Sequence, residues 1–358
     1  MKKSLRKLSA LNVKKVFLAF IAVALMLNAQ AQLQSALPLD AYGVWDRKAY
    51  LPFTDSSHVK TFKGIKLFAK WSGIQAIDST TYDWSIFDQT LAFADRHGLY
   101  TYVGIGVGPE CPQWIYDNGV PKMFTNTTEL GGIFPYYPDA DYKRHYFKLI
   151  EALSDYIDGL DQNLKESILF VQARTGCTGD EVPVKGDYLP GSTYQMSDQE
   201  WEDFRLESFG KFKQFISDPL NMPLHFNGIN YNDPKYVEEW NWVIDNIGTG
   251  FGIKGSAYVR GHHLTFENDN KNTWYDMLVN PQELALFSRA EMDQSHTRPL
   301  YLINKPLGFY WGVLSGLNTG LSIWDHTQSA IAAIDEYPEI KQSLEFFNRY
   351  APEMYPAT

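Results

Sequence analysis

Two glutamates close strand-like runs in this sequence. Glu181 ends the stretch 167–181, which begins Ser-Ile-Leu-Phe-Val-Gln-Ala-Arg, and Glu291 ends the stretch 284–291, Leu-Ala-Leu-Phe-Ser-Arg-Ala-Glu. Side chains alternate along a strand, so Phe287, Arg289 and Glu291 share one face and the small Ser288 and Ala290 the other. A guanidinium one layer below favours an ionised Glu291, as a nucleophile requires. Asp180 beside Glu181 disfavours a second charge there, which suits a group that starts protonated. A pair divided in this way can split a glycosidic bond with retention. One carboxylate attacks the anomeric carbon; the other protonates the leaving oxygen and then activates water. Two other assignments stay open: Asp180 as the acid in place of Glu181, and Glu267 as the second carboxylate.

The elements that must position this pair are strands alternating with helices. The strand-like runs are 41–46, 64–71, 100–107, 168–173, 223–228, 250–258, 284–291 and 320–324. Trp84, Phe87, Leu91 and Ala94 recur at helical spacing, with Gly98 placed to end that helix. Tyr146, Ile150, Leu153 and Ile157 form one stripe of a helix over 140–157. Ser197 to Glu200 reads as a capping box ahead of a helix carrying Trp201, Phe204, Phe212 and Phe215. A last helix over 340–350 can close the ring. This order is that of an α/β fold, the (β/α)8 TIM barrel, whose chemistry sits at the C-terminal ends of its strands. The two glutamates then end the fourth and seventh strands. No internal repeat, linker or low-complexity tract divides the chain, so one barrel is expected. The loop after the third strand, 108–138, is long and rich in Pro and Gly, which on that face marks function.

Other residues gather at the predicted strand ends and are expected to bind substrate. Lys70 and Trp71 close the second strand; Glu110 and Trp114 follow the third. Gln172 and Arg174 lie on the fourth run, with Asp180 beyond. Asn227, with His225 and Asn230, belongs to the fifth, and Tyr258, His262 and His263 follow the sixth. Arg289 lies on the seventh, and Trp324 with Asp325 closes the eighth. Neutral donors and acceptors mixed with aromatic faces suit a sugar. His262 and His263 are adjacent, and neighbours on an extended chain point opposite ways, so they do not read as a metal pair. No His, Cys or Glu spacing of a zinc site appears, so neither a metal nor another cofactor is expected.

The first residues read as a secretory signal. Lys2, Lys3, Arg6, Lys7, Lys14 and Lys15 form a basic region ahead of an apolar run, Val16 to Leu27, too short to span a bilayer comfortably. Ala29-Gln30-Ala31 is a small-residue cleavage site. The expected organisation is a signal peptide over 1–31 and a barrel over 32–358, exported to the periplasm or the medium, without membrane insertion after cleavage. The net charge is −10, and losing the basic leader makes the mature chain more acidic still. That balance argues against nucleic acid or an anionic membrane as partner. Cys111 and Cys177 follow adjacent predicted strands. In an exported protein they are disulfide candidates; the alternative is two buried thiols.

The chain resembles the clan of retaining (β/α)8 glycoside hydrolases that place the acid/base after strand four and the nucleophile at the end of strand seven. Within that clan, Tyr82-Asp83-Trp84-Ser85-Ile86-Phe87-Asp88, and then Pro109-Glu110-Cys111-Pro112-Gln113-Trp114-Ile115, are similar to the front half of β-galactosidases of families 42 and 35 and of agarase-like enzymes. The resemblance implies Glu181 as acid/base, Glu291 as nucleophile, Trp324 as the aromatic floor, and an oligosaccharide or polysaccharide substrate, with a β-galactoside favoured. Asp180 stands where the clan usually has Asn. That departure keeps a second reading in view, a carbohydrate-binding barrel without turnover. A third reading places Asp/His chemistry on His225, His262 or His263 and predicts a group titrating in the histidine range.

Overall fold

The structure, a computed structural model, describes residues 37–46, 56–177, 182–229, 235–248, 250–255, 287–291, 304–318, 320–326 and 333–354. Eight parallel strands close into a barrel. They are β1 (Gly43–Asp46), β2 (Gly64–Lys70), β3 (Tyr100–Gly106), β6 (Ile168–Gln172), β7 (Leu224–Asn227), β8 (Phe251–Gly255), β9 (Phe287–Glu291) and β10 (Ile323–His326). Two short strands, β4 (Lys122–Phe124) and β5 (Ile133–Pro135), form an antiparallel hairpin inside the long loop after β3. The ring closes where β10 pairs with β1, from Gly43 opposite Ile323 to Asp46 opposite His326. This is the expected (β/α)8 barrel.

Helices cover the outside for the reasons their sequences give. Ser85–His97 buries Phe87, Leu91 and Ala94 and stops at Gly98, whose φ of 63° is left-handed and costs glycine little. Ala140–Asp158 starts at Asp139, whose carboxylate accepts from the backbone N–H groups of Asp141 and Tyr142. Asp198–Phe212 begins with the Ser197–Glu200 capping box. Phe215, expected in the same helix, falls in a π-helical turn, Lys213–Ser217. Lys305–Asn318 packs between β9 and β10 in chain order, and Pro338–Tyr350 follows β10.

Inside the barrel, rings fill the N-terminal half. Tyr102 stacks on Phe170 with centroids 4.9 Å apart and planes 7° off parallel, and Phe170 meets Phe287 at 4.7 Å. Trp45 lies 5.8 Å from Tyr102. Glycines make room for this plug. A Cβ built on Gly64 would sit 2.5 Å from the Trp45 ring, and one on Gly252 2.1 Å from the Phe287 ring. Large and small residues on neighbouring strands thus fit together inside the barrel.

The last strand starts and ends later than the sequence run suggests, at Ile323–His326 rather than 320–324. The expected signal peptide and the residues Asp180, Glu181, Asn230, Tyr258, His262, His263 and Glu267 lie outside the described residues. Among the described residues, no helix is long and apolar enough to cross a membrane.

Candidate active site at the C-terminal mouth of the barrel

Strand register gathers one set of polar side chains above the aromatic plug. Asn227 pairs with Lys254, Lys254 with Arg289, and Asp325 with Glu291. Lys66 pairs with Tyr102, and Lys70 with Gly106. Partners on neighbouring parallel strands point the same way, so these residues share the inner face.

Arg289 is fully buried one layer below Glu291. Its Nη1 donates to the Tyr102 hydroxyl oxygen at 2.8 Å and to Asp325 Oδ2, and its Nε donates to His225 Nε2 at 3.4 Å. The Tyr102 hydroxyl donates in turn to Asp325 Oδ2 at 2.9 Å. A buried guanidinium is tolerable only with such a partner set, since an unpaired buried charge costs several kcal/mol. Burial first, then the charges of Arg289 and Lys254, holds His225 well below the ordinary histidine range. Its imidazole is therefore neutral and can accept from Arg289. Burial also pushes the Tyr102 hydroxyl well up, so it keeps its proton and donates.

Glu291 stands on this base with its side chain 17% exposed. Its Oε1 lies 3.0 Å from Lys254 Nζ and 3.9 Å from Arg289 Nη1. Two cations converging on one oxygen stabilise a carboxylate's negative charge and fix its direction. Across the mouth, Glu110 lies flat against β3. A Cβ on Gly106 would be 2.0 Å from Glu110 Oε2, so glycine is required for that approach. Lys70 Nζ sits 3.6 Å from Glu110 Oε1 at the rim. Asn227 ends β7 on the same face, buried. Glu291, Arg289, Lys70, Glu110 and Asn227 are thus brought to one end of the barrel, as their strand-end positions suggested.

The three tryptophans expected at the substrate are not there. Trp71 opens a short helix, Trp71–Ile74, which turns it outward; it is buried against Tyr142 and Tyr146, and its indole N–H donates to Gln75 Oε1 at 2.7 Å. Trp114 is buried in the same outer layer, donating to the Gln75 carbonyl at 2.8 Å and meeting His145 edge-on. Trp324 pairs with Val44 and Ala290 on the helix side of the sheet, because its neighbour Asp325 takes the inner face. It packs against Phe309, His326 and Phe347, and a Cβ on Gly312 would meet its ring at 2.7 Å. All three are core residues, and none forms an aromatic floor. No disulfide joins the cysteines: Cys111 and Cys177 are both buried, and burial pushes the Cys111 thiol up to about 12.

Lys66, Tyr102 and Lys254 belong to the mouth and escaped the sequence reading. The signal was present. Lys66, Phe68 and Lys70 share the parity of one strand face, and Lys254 is the lone charge in the run Phe-Gly-Ile-Lys-Gly. Cys177 and Val182, which flank the segment carrying Asp180 and Glu181, are described. The Cys177 N–H donates to the Val182 carbonyl at 3.1 Å just past the end of β6. Among the described residues, no group of three or more His, Cys, Asp or Glu side chains could hold a metal ion.

No protein-family model matches this chain, and no curated protein matches it. Among solved structures it is similar to the catalytic domain of beta-amylase from Paenibacillus polymyxa, with a TM-score of 0.57 at 11% identity over 88% of this chain and 99% of that one. It is also similar to native xylanase 10B from Thermotoga maritima, with a TM-score of 0.50 at 11% identity over 90% of this chain and 99% of that one. At these identities the likeness establishes the architecture alone, a single (β/α)8 barrel.

Proposed function

We propose that this chain is an exported glycoside hydrolase that cleaves a β-glycosidic bond of an oligosaccharide or polysaccharide with retention. The observation that carries the reading is Glu291. It ends β9 at the C-terminal mouth, 3.0 Å from Lys254 and above the buried Arg289–Asp325–Tyr102 group. A nucleophilic carboxylate needs this placement: beside two cations and open to the mouth. The fold is also one that a beta-amylase and a xylanase share.

In this reading Glu291 attacks the anomeric carbon as the bond to the leaving oxygen breaks. Glu181 gives that oxygen its proton. Water, deprotonated by Glu181, then attacks the glycosyl ester and releases Glu291. Glu181 takes this role on the motif resemblance and on its place in the sequence after the fourth barrel strand. A β-galactoside is the favoured substrate on the motif resemblance, and the basic, apolar, small-residue order of 1–31 supports export.

The test is a panel of aryl β-glycosides, galactoside first. Wild type should turn over at least one of them, and Glu291→Gln should not. Glu181→Gln should slow poor leaving groups far more than activated ones, because only the former need protonation. Equal losses on both would remove Glu181 from the acid role.

A further inference from the structure

The two cations on Glu291 are not alike. Arg289 Nη1 lies 3.9 Å from Glu291 Oε1 and is bonded to Asp325, which is fully buried and stays its counter-ion whatever Glu291 becomes. Lys254 Nζ lies 3.0 Å from the same oxygen, and Glu291 supplies the negative charge of that pair. The two side chains are only 14% and 17% exposed. A pair so far withdrawn from water attracts more strongly than one on the surface.

In a retaining reaction this pair is broken and remade in every turnover. An oxygen held by two cations is the weaker nucleophile, so Oε2 takes the bond to the anomeric carbon and Oε1 becomes the ester carbonyl oxygen. The ester is neutral, so Lys254 then faces an uncharged group while Arg289 keeps Asp325. In the second half, water attacks the anomeric carbon and gives its proton to the general base. The bond from that carbon to Oε2 breaks, and its electron pair returns to the Glu291 carboxylate. Negative charge therefore grows on Oε1 in this transition state, beside the ammonium. The first half runs the other way. The carboxylate begins fully charged and loses charge, so the cation stabilises the starting state more than the transition state. A fixed cation at Oε1 thus assists the rupture of the ester and not its formation.

We propose that Lys254 is a catalytic residue of the second half-reaction: its ammonium receives the charge that returns to Glu291 and makes that carboxylate a good leaving group. This role rests on the glycosidase reading of Glu291, and the 3.0 Å contact supplies the rest.

The test times the two halves apart with the dinitrophenyl 2-deoxy-2-fluoro-β-glycosides of galactose, glucose and xylose, which load a retaining enzyme quickly and leave it slowly. Whichever sugar labels Glu291 in the wild-type chain is carried forward. Once excess reagent is removed, the return of activity times the second half alone. Lys254→Met and Lys254→Gln are both used, so that one misfolded variant does not decide the outcome. At a pH where labelling no longer changes, each should be labelled within about threefold of the wild-type rate and should recover about ten times more slowly or worse. Lys254→Arg, which keeps the cation, should regain most of that loss. On the unfluorinated dinitrophenyl glycoside the neutral variants should lose kcat and KM together and release a burst of dinitrophenolate, because the glycosyl-enzyme accumulates. Their labelling should also fade at a higher pH on the acid side, since the lost cation favoured the ionised carboxylate. The other charged or titratable groups facing Glu291 are Lys66 on β2, Tyr102 on β3, His225 on β7, Arg289 on β9 and Asp325 on β10, and these variants keep them all. Recovery as fast as wild type, or labelling and recovery slowed by the same factor, would overturn the proposal and leave the glycosidase reading standing on the labelled Glu291. No label on Glu291 from any of the three sugars would remove this role together with that reading.

Discussion

The two halves of the barrel interior are built on the same strands, two residues apart. On β9, Phe287 gives way to Arg289 and then Glu291; on β6, Phe170 gives way to Gln172, with Arg174 just beyond the strand. On β2, Gly64 gives way to Lys66, and on β8, Gly252 to Lys254. The lower half is rings fitted against glycines. The upper half is buried charge held by a few specific partners. Dispersion and burial tolerate small changes in the lower half, whereas each charge in the upper half depends on a named atom. The close-packed plug gives the mouth its floor, and the mouth spends stability on orientation. Tyr102 joins the two layers, since its ring stacks on Phe170 and its hydroxyl bonds Asp325.

Substitutions in each half should separate stability from turnover. The largest effect is expected from Glu291→Gln, which should lower turnover on the order of 10⁴-fold or more while the melting temperature stays near wild type. Phe170→Ala in the plug should do the reverse. It should cost about 3–5 kcal/mol of stability, read by denaturant unfolding, with KM little changed in whatever stays folded. Asp325→Asn touches both halves. It leaves Arg289 buried without its carboxylate, so a stability loss of about 3–5 kcal/mol should come with a fall in turnover as Glu291 loses its base. If Asp325→Asn left both stability and rate intact, the layered account of the mouth would be wrong.

Much of this was legible in the sequence. All eight barrel strands fall within a few residues of the predicted runs, because apolar runs punctuated by Gly and Pro report directly on buried parallel strands. The layering of Arg289 beneath Glu291 followed from period two alone. What failed was the reading of side-chain type as role. Trp71, Trp114 and Trp324 look like sugar platforms by chemistry, but one residue of register, or one turn of helix, decides which face an indole takes. Strand β10 shows this most plainly: starting it at Ile323 sends Asp325 inward and Trp324 out to Gly312 and Phe347. Lys66 and Lys254 were missed for the opposite reason, since a lysine inside a strand looks like an exposed residue until its face is known.

Two smaller effects test those corrections. Trp324→Phe should cost about 1–3 kcal/mol of stability and leave KM unchanged, as befits a side chain on the helix side. A drop in affinity for sugar without loss of stability would return Trp324 to the floor of the site. Adding reductant should leave the melting temperature where it was, because no disulfide joins Cys111 and Cys177; a clear fall would mean that they are bonded.

The most direct test of the central claim is to trap the glycosyl-enzyme. A 2-deoxy-2-fluoro-β-galactosyl fluoride, or the corresponding activated fluorosugar of whichever glycoside proves to be the substrate, should inactivate the chain and leave one sugar on the peptide containing Glu291, located by mass spectrometry. A label on Glu110 or Glu181 instead, or steady turnover of substrate with no labelled carboxylate at all, would contradict the assignment of Glu291 as nucleophile.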